Sequence, residues 1–598
     1  MFSYVQPDAW VCLRLPSDTL KVVQVTPNTE RITPPPHHVA VQKLIPSSTI
    51  SLGKYGVFQS NLILGRPYHL TYEIQDRKEG SAPSLRVVPA SEIHADTIAE
   101  EEAAANPTSD SITLGGDGVQ FELVNETGEV VMRSNRETID DAARQTMTME
   151  EIEILKRDGT DAGKDLIAKL MLSHTALDEK TAFSLAKYKL LKTKKYLRQF
   201  TILPLDVPML THWLVDQKDA ARILEIRNEV LALVGCWANV HFSGDPYGLP
   251  SPALSPTLPG KGRWLVVDEI GGLLVASMAE RMGILHAPTA SEKPPVPTTT
   301  TASKDADEDD ESSPHDYLSR PPSGSNTITL VHANAQPNMS LLKYFDHNPD
   351  TPSPSHPLTT HLHTISWLQL LDPNADTTYS TPLPSLTPAE LSTLKSGKRG
   401  QYYKKRRRLA RVSAIVDSTR AGSFDGLAIA AYMDPLTILP HLIPLLRGGA
   451  PICIYSPNVE PLTRLADCYS TSRRAAFVAA PPAEGDLTNW AGNEDFPLNP
   501  TLLLGVGVQT SRVREWQVLP GRTHPLMTSR GGAEGYLFTG TRVIPVEGKV
   551  EARGNYKRRK TDGAKSGEAS SVQTPAVQTP DVIEQNIEDV VMGQDVDI

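Results

Sequence analysis

The stretch from Arg263 to Gly283, "RWLVVDEIGGLLVASMAERMG", constrains the fold more than any other part of the chain. An apolar, β-branched run (Trp264 to Val267) ends in Asp268-Glu269, turns at Gly271-Gly272 and continues as an apolar helical segment. Strand, glycine turn and helix in that order form one unit of an α/β sheet. Further strands are predicted in "TITLVHA", "GLAIAAYM" and "APICIYS", with "LTILPHLIPLLRGG" as a helix between the last two. Alternation of buried strand and helix implies a mostly parallel sheet.

At 598 residues the chain exceeds one ordinary core. The expected class is α+β and α/β combined. Residues 1–75 carry short strands punctuated by turn residues ("WVCLRL", "KVVQV", "TISLG", "YHLTYEI") and suit a small β-barrel. Residues 76–118 read as a flexible insertion and residues 119–200 as a helical connector, in which Thr148 and Glu151 form a capping box. Residues 201–286 and 327–545 are expected to form the α/β domain that holds the mostly parallel sheet. Three segments are too polar or Pro-rich to bury a core and are expected to be disordered: 287–326, residues 346–395 of a Pro/Ser/Thr-rich insertion 346–411 that ends in a basic cluster, and the tail 546–598.

The net charge of −11 argues against a general nucleic-acid binder, but the charge is unevenly distributed. Four cysteines without a C-x-x-C pair fit a reducing compartment and no structural zinc. No apolar run approaches the roughly 18 residues of a membrane span, and no secretory signal pattern is present. "HPLTTHLHT" (His356, His361, His363) lacks carboxylate or cysteine partners, so no metal site is expected. The G-x-S-x-G, H-E-x-x-H and P-loop patterns are missing.

The glycine turn is a poor cofactor cradle. Nucleotide and S-adenosylmethionine loops need spaced glycines for close backbone approach, whereas Gly271 and Gly272 are adjacent and followed by Leu273-Leu274. The second strand ends in Val331-His332-Ala333-Asn334, without the carboxylate that would hold ribose hydroxyls.

Two segments carry one-signed charge. "KYKLLKTKKYLR" (Lys187 to Arg198) has six cations and no acid; Phe183, Leu190 and Leu197 share one helical line, with Lys189, Lys192 and Lys195 opposite. Solvated helix faces usually mix signs, so cations interleaved with Tyr188 and Tyr196 point to phosphate contacts and base stacking. "GKRGQYYKKRRRLAR" (Gly397 to Arg411) has eight cations and no acid, and its core Lys404, Lys405, Arg406, Arg407 and Arg408 suits RNA binding, nuclear import or both. "YKRRK" (Tyr556 to Lys560) reads as a localisation signal, and the nucleus is the expected compartment.

Taken together with "SNRETIDDAARQ" (Ser134–Gln145), "FDGLAIAA" (Phe424–Ala431), "REWQVLPGRTHPLM" (Arg514–Met527) and "RGGAEGYLFTG" (Arg530–Gly540), these stretches give a chain that resembles the non-catalytic subunits of the tRNA (adenine-58-N1)-methyltransferase. The resemblance spans nearly all of the chain outside the polar insertions. It implies a β-barrel followed by a Rossmann-like methyltransferase fold whose cofactor site is degenerate at Gly271 and Gly272. It implies a related catalytic subunit as partner, two of each in the complex, with S-adenosylmethionine bound there and no cofactor here. In the catalytic sibling an Asp-x-Pro-x-Pro-Trp run follows the fourth strand; here Ala431-Tyr432-Met433-Asp434-Pro435-Leu436 departs from it. The resemblance also implies tRNA contacts at Asn135, Arg136, Arg144 and Gln145, at Lys187, Tyr188, Lys189, Lys192, Lys194, Lys195 and Tyr196, at Lys218 and Arg222, and at Arg514, Gln517, Arg522, Arg530, Gly531 and Gly532. Tyr432 stands where relatives often carry an arginine. Two other readings stay open: an active S-adenosylmethionine-dependent RNA methyltransferase, and a structural partner that makes no RNA contact.

Overall fold

The computed structural model describes residues 4–27, 49–75, 84–93, 121–124, 130–134, 146–158, 163–174, 182–242, 262–286, 326–381, 384, 386–480, 490, 492–519, 522–526 and 534–545. The expected insertion 287–326 (apart from Asn326), the tail 546–598 and residues 94–118 lie outside them.

The N-terminal strands are β1 (Trp10–Arg14), β2 (Leu20–Gln24), β3 (Thr49–Ser51), β4 (Val57–Gln59), β5 (Thr71–Ile74) and β6 (Leu85–Val87). Two further strands, β7 (Phe121–Val124) and β8 (Val130–Ser134), pair with each other. The strand that organises the N-terminal sheet comes from far along the chain: β9 (Gln199–Pro204) lies between β1 and β5, in the order β2-β1-β9-β5-β6. Leu13 opposes Ile202 and Tyr72 opposes Phe200. Alternate residues of β1 serve different cores. Val11 and Leu13 pack with Ile50, Phe58, Tyr72 and Phe200, where the rings of Phe58 and Phe200 stack at 4.6 Å, while Cys12 joins the main core on the other face.

This corrects two expectations. Among the described residues the strands form an open sheet with the β3–β4 ribbon packed over it, and the unit needs residues 199–204 as well as 1–75. The expected insertion 76–118 contributes β6, which pairs with β5; burial of Val88 and an ion-pair network hold this polar segment in place. In that network Arg86 and Lys164 bind both Glu73 and Glu92.

The connector contains α1 (Met149–Asp158), α2 (Lys164–Leu172) and α3 (Ala182–Tyr196). The capping box is present: the Glu151 amide donates to the Thr148 hydroxyl at 3.3 Å and the Thr148 amide to the Glu151 carboxylate at 2.8 Å. Ile152, Leu166 and Leu170 form a small core against which Tyr196 packs. Gly163, at φ 92°, lets α2 start beside the end of α3, because a Cβ there would lie 2.4 Å from the Tyr196 carbonyl oxygen.

The large sheet contains β10 (Arg263–Asp268), β11 (Thr327–His332), β12 (Leu362–Ser366), β13 (Gly426–Ala430), β14 (Pro451–Ser456), β15 (Leu503–Gln509) and β18 (Tyr536–Arg542), while β16 (Trp516–Leu519) and β17 (Arg522–Pro525) form a separate hairpin. The order β12-β11-β10-β13-β14-β18-β15 reads 3-2-1-4-5-7-6, with the first five strands parallel and β18 antiparallel to both neighbours. This is a doubly wound sheet whose order reverses between β10 and β13. Both faces are buried. Trp264 and Val266 meet α4 (Val207–Gln217), α5 (Asn228–Trp237) and α6 (Leu273–Met282), whereas Leu265 and Val267 meet the C-terminal part of α7 (Ser396–Arg420), α8 (Pro435–Leu442) and α9 (Glu460–Cys468).

Residues 346–411 are not the expected insertion. Strand β12 pairs in parallel with β11, with Ile328 opposite Leu362, and the basic cluster lies within α7. The histidines that made this segment look polar are buried neutral hydrogen-bonding groups: His361 Nδ1 lies 2.9 Å from the Asn326 carbonyl and His356 Nε2 lies 3.0 Å from that of Phe345. Burial pushes the basicity of both below the ordinary histidine range.

Candidate RNA-binding surface and the glycine turn

In open α/β sheets a ligand sits outside the carboxyl ends of the strands where the strand order reverses, here between β10 and β13. The turn that would line that crevice binds itself. The buried Asp268 carboxylate accepts from the amides of Ile270 (2.9 Å), Gly272 (3.1 Å) and Val275 (3.0 Å). Burial pushes its carboxyl up to about 6 against the pull of those donors. Gly271 and Gly272 have φ of 78° and 87°, and side chains fill the space above them. A Cβ on Gly271 would lie 3.2 Å from Leu341 Cγ, and one on Gly272 3.2 Å from Met339 Cα. The Leu341 amide donates to the Gly271 carbonyl at 3.0 Å.

The flanking positions are similarly engaged. The Tyr432 amide donates to the Glu269 carboxylate at 2.6 Å, and its hydroxyl donates to the Ala221 carbonyl at 2.8 Å, bridging the crevice mouth. At the end of β11, His332 Nδ1 lies 2.7 Å from the Asn334 carbonyl. Asp434 N-caps α8 by accepting from the Leu436 amide at 3.0 Å. Sequence reasoning saw missing glycines but not the capping by Asp268 or the bridge by Tyr432. The acid ending an apolar strand directly before the glycine turn was the available sign of the first.

The basic helix α3 leads directly into β9, which fixes it against the N-terminal sheet. Tyr55 donates its hydroxyl to the Lys194 carbonyl at 2.6 Å, and the Lys194 ammonium pairs with Asp18 at 2.5 Å. Lys194 therefore anchors the helix instead of joining the cationic face. Lys187 and Lys195 are exposed, and Lys189 and Lys192 half-buried. Lys192 sits 4.7 Å above the Tyr188 ring, which meets His174 edge-on, and Lys195 sits 5.0 Å from the Tyr196 ring centroid. The fold thus uses both tyrosines for packing and for holding ammonium groups. Of the expected apolar line, Leu190 and Leu197 are half-buried; the side chain of Phe183 lies outside the described residues.

The structure brings the β16–β17 hairpin beside α3. The segment leading into it is tied down by Arg227, which donates to the Ser511 carbonyl at 2.6 Å. Arg514 is exposed and Gln517 half-buried, and Trp516 and Val518, absent from the expected contacts, are exposed on the same hairpin. An exposed tryptophan beside a cationic helix is suited to stacking on a base. Alternation in "EWQVL" before Pro-Gly was the readable signal. Lys218 and Arg222 lie elsewhere, at the end of α4 and in the turn after it: Lys218 is 5.1 Å from the Trp213 ring centroid, and Arg222 donates to the Ser340 hydroxyl at 2.6 Å. Lys404–Arg408 are exposed on α7, whose neighbours include β12. Asn135, Arg136, Arg144, Gln145, Arg530, Gly531 and Gly532 lie outside the described residues, as does the side chain of Arg522.

Comparison with known proteins yields a match to the Gcd10p family over residues 31–395. The tRNA (adenine(58)-N(1))-methyltransferase non-catalytic subunit of Aspergillus oryzae is 45% identical over 593 residues, covering 94% of this chain and 96% of that protein. Its counterpart from Aspergillus fumigatus is 45% identical, covering 96% and 98%. Among solved structures, a tRNA (m1A58) methyltransferase from Aquifex aeolicus aligns at a TM-score of 0.33 with 8% identity, covering 91% of this chain and 100% of that one.

Proposed function

Because the chain belongs to the Gcd10p family, we propose that it is the non-catalytic, tRNA-binding subunit of the tRNA (adenine-58-N1)-methyltransferase, acting with a catalytic partner in tRNA maturation. The observation that carries this is 45% identity sustained over 94% of the chain with a protein of that description.

The structure supports a division of labour. S-adenosylmethionine belongs to the partner, because the turn that would cradle it here does not fit it. Asp268 occupies the loop amides, Leu341 and Met339 occupy the glycine space, and His332 stands where a ribose-binding acid is needed. This chain contributes the cations of α3 and the neighbouring hairpin, which hold tRNA through its phosphates while the partner flips and methylates the adenine. The complex contains two copies of each subunit. None of the described helices is long and apolar enough to cross a membrane.

Two experiments test this reading. Calorimetric titration of the isolated chain with S-adenosylmethionine is expected to give no binding tighter than millimolar. Micromolar binding would establish a working cofactor site and favour an active methyltransferase. Nuclear import is assigned to Lys557–Lys560, so replacing Lys557, Arg558, Arg559 and Lys560 with alanine lowers nuclear accumulation of a fluorescent fusion. An unchanged distribution would place the signal elsewhere or in the partner.

A further inference from the structure

Helix α7 is core at one end and overhangs the domain at the other. Lys405, Arg408, Val412, Ile415 and Thr419 fall on one helical line at alternating spacings of three and four. From Val412 onward that line enters the core, with Ile415 and Thr419 buried. Lys405 and Arg408, on the same line, are exposed, so the body of the domain ends before them. Five consecutive residues exceed one helical turn. Lys404 to Arg408 therefore point in all directions around the axis, and all five are exposed. Among the described residues none of the five has an ion-pair partner. The overhang is held in place. On one flank Tyr402 donates to the Pro384 carbonyl at 3.2 Å and accepts from the Leu386 amide at 3.3 Å.

A cation cluster on one face suits one flat anionic surface. Cations all round a helix would leave half their charge unpaired on such a surface, and "SGKRGQYYKKRRR" offers no apolar stripe to lie in a lipid interface. The complementary ligand has phosphates facing the helix from more than one side. A regular A-form major groove is too narrow to admit a helix some 10 Å across, which leaves phosphate walls brought together by tertiary folding. Resting on the tRNA-binding reading above, we propose that the overhanging part of α7 inserts between two backbone segments of a folded tRNA and so selects the folded molecule over an isolated stem.

The test uses the complex reconstituted with its catalytic partner and two variants that remove equal charge from opposite sides: Lys405→Ala/Arg408→Ala on the core line, and Arg406→Ala/Arg407→Ala across the axis. Each pair is expected to lower affinity for folded tRNA about fivefold and to reduce the logarithmic salt slope by one to two units, at roughly 0.7–0.9 per phosphate. Neither is expected to change affinity for a single RNA stem-loop. Loss from one side only would mean a flat contact, equal loss with the stem-loop would mean a single-duplex contact, and unchanged tRNA binding by both would remove α7 from RNA recognition; each overturns the proposal. The α3 variant described below fails or succeeds independently, so loss of tRNA binding there with none here would defeat the insertion and leave the subunit's function intact.

Discussion

Replacing Lys189, Lys192 and Lys195 together with alanine lowers tRNA affinity of the reconstituted complex by about tenfold or more at moderate salt, and the logarithmic salt slope by roughly two units. The slope follows from counterion release, which contributes roughly 0.7–0.9 per phosphate contact, so three contacts account for about two. Phosphate contacts position without reading sequence, so the loss is similar across tRNAs. Assembly with the partner is retained, because the attachment of α3 to the domain runs through Lys194, Tyr55 and Asp18, which the variant leaves in place. Methylation falls through weaker capture: KM rises, kcat is unchanged, and the rate recovers at high tRNA. Lys194→Ala supplies the contrast, since it removes an anchor and is expected to lower thermal stability. Fluorescence anisotropy over a salt series, run beside analytical gel filtration with the partner, separates the two. Wild-type affinity in the triple variant, or loss of the partner, would make α3 an assembly surface.

What the sequence disclosed, and what it hid, follows from how each contact is made. Strands β10, β11, β13 and β14 were legible because both of their faces are buried and their residues are apolar in succession. Strand β12 was not: "LHTIS" carries only Leu362 and Ile365 as apolar residues, at the edge of the sheet among Pro, Ser and Thr. Strand β9 follows the basic helix and pairs with β1 across most of the N-terminal half, a long-range match with no local signature. The cationic character of α3 was plain, but the diversion of Lys194 to Asp18 depends on that same long-range pairing. The turn at Gly271-Gly272 was recognised as deficient in glycines. That Leu341 and Met339 fill it depends on a segment after β11 that carries no motif.

Buried histidines flanking and within β12 are expected to make the fold acid-sensitive, and His347 offers the clearest measurement. Its ring is buried, lies 5.0 Å from that of His356, and has no hydrogen-bond partner at Nδ1 among the described residues. Burial, reinforced by His356, pushes its pKa down to about 4; burial likewise takes His286 and His363 to about 4. A histidine whose folded pKa is depressed stays neutral in the native state while the unfolded chain takes up a proton near pH 6.5. Its contribution is therefore complete above about pH 6.5 and is lost as pH falls towards 4. By pH 5 the loss is roughly 1.5 units at 1.36 kcal/mol each, or about 2 kcal/mol per histidine. Two carboxyls act in the opposite sense: Asp268 and Glu280, pushed up to about 6 and about 7 by burial, lose the cost of their buried charge as they protonate. The wild-type profile is thus a partial cancellation, and only a variant isolates the histidine. His347→Phe removes the titration and keeps an aromatic ring at the same buried position. Between pH 7 and pH 5 its melting temperature is expected to fall less than that of wild type by roughly 3 °C, at about 1.5 °C per kcal/mol for a domain of about 300 residues. Parallel curves for the two proteins would mean that His347 takes up its proton without unfolding the domain, and would move the acid sensitivity to His286 and His363.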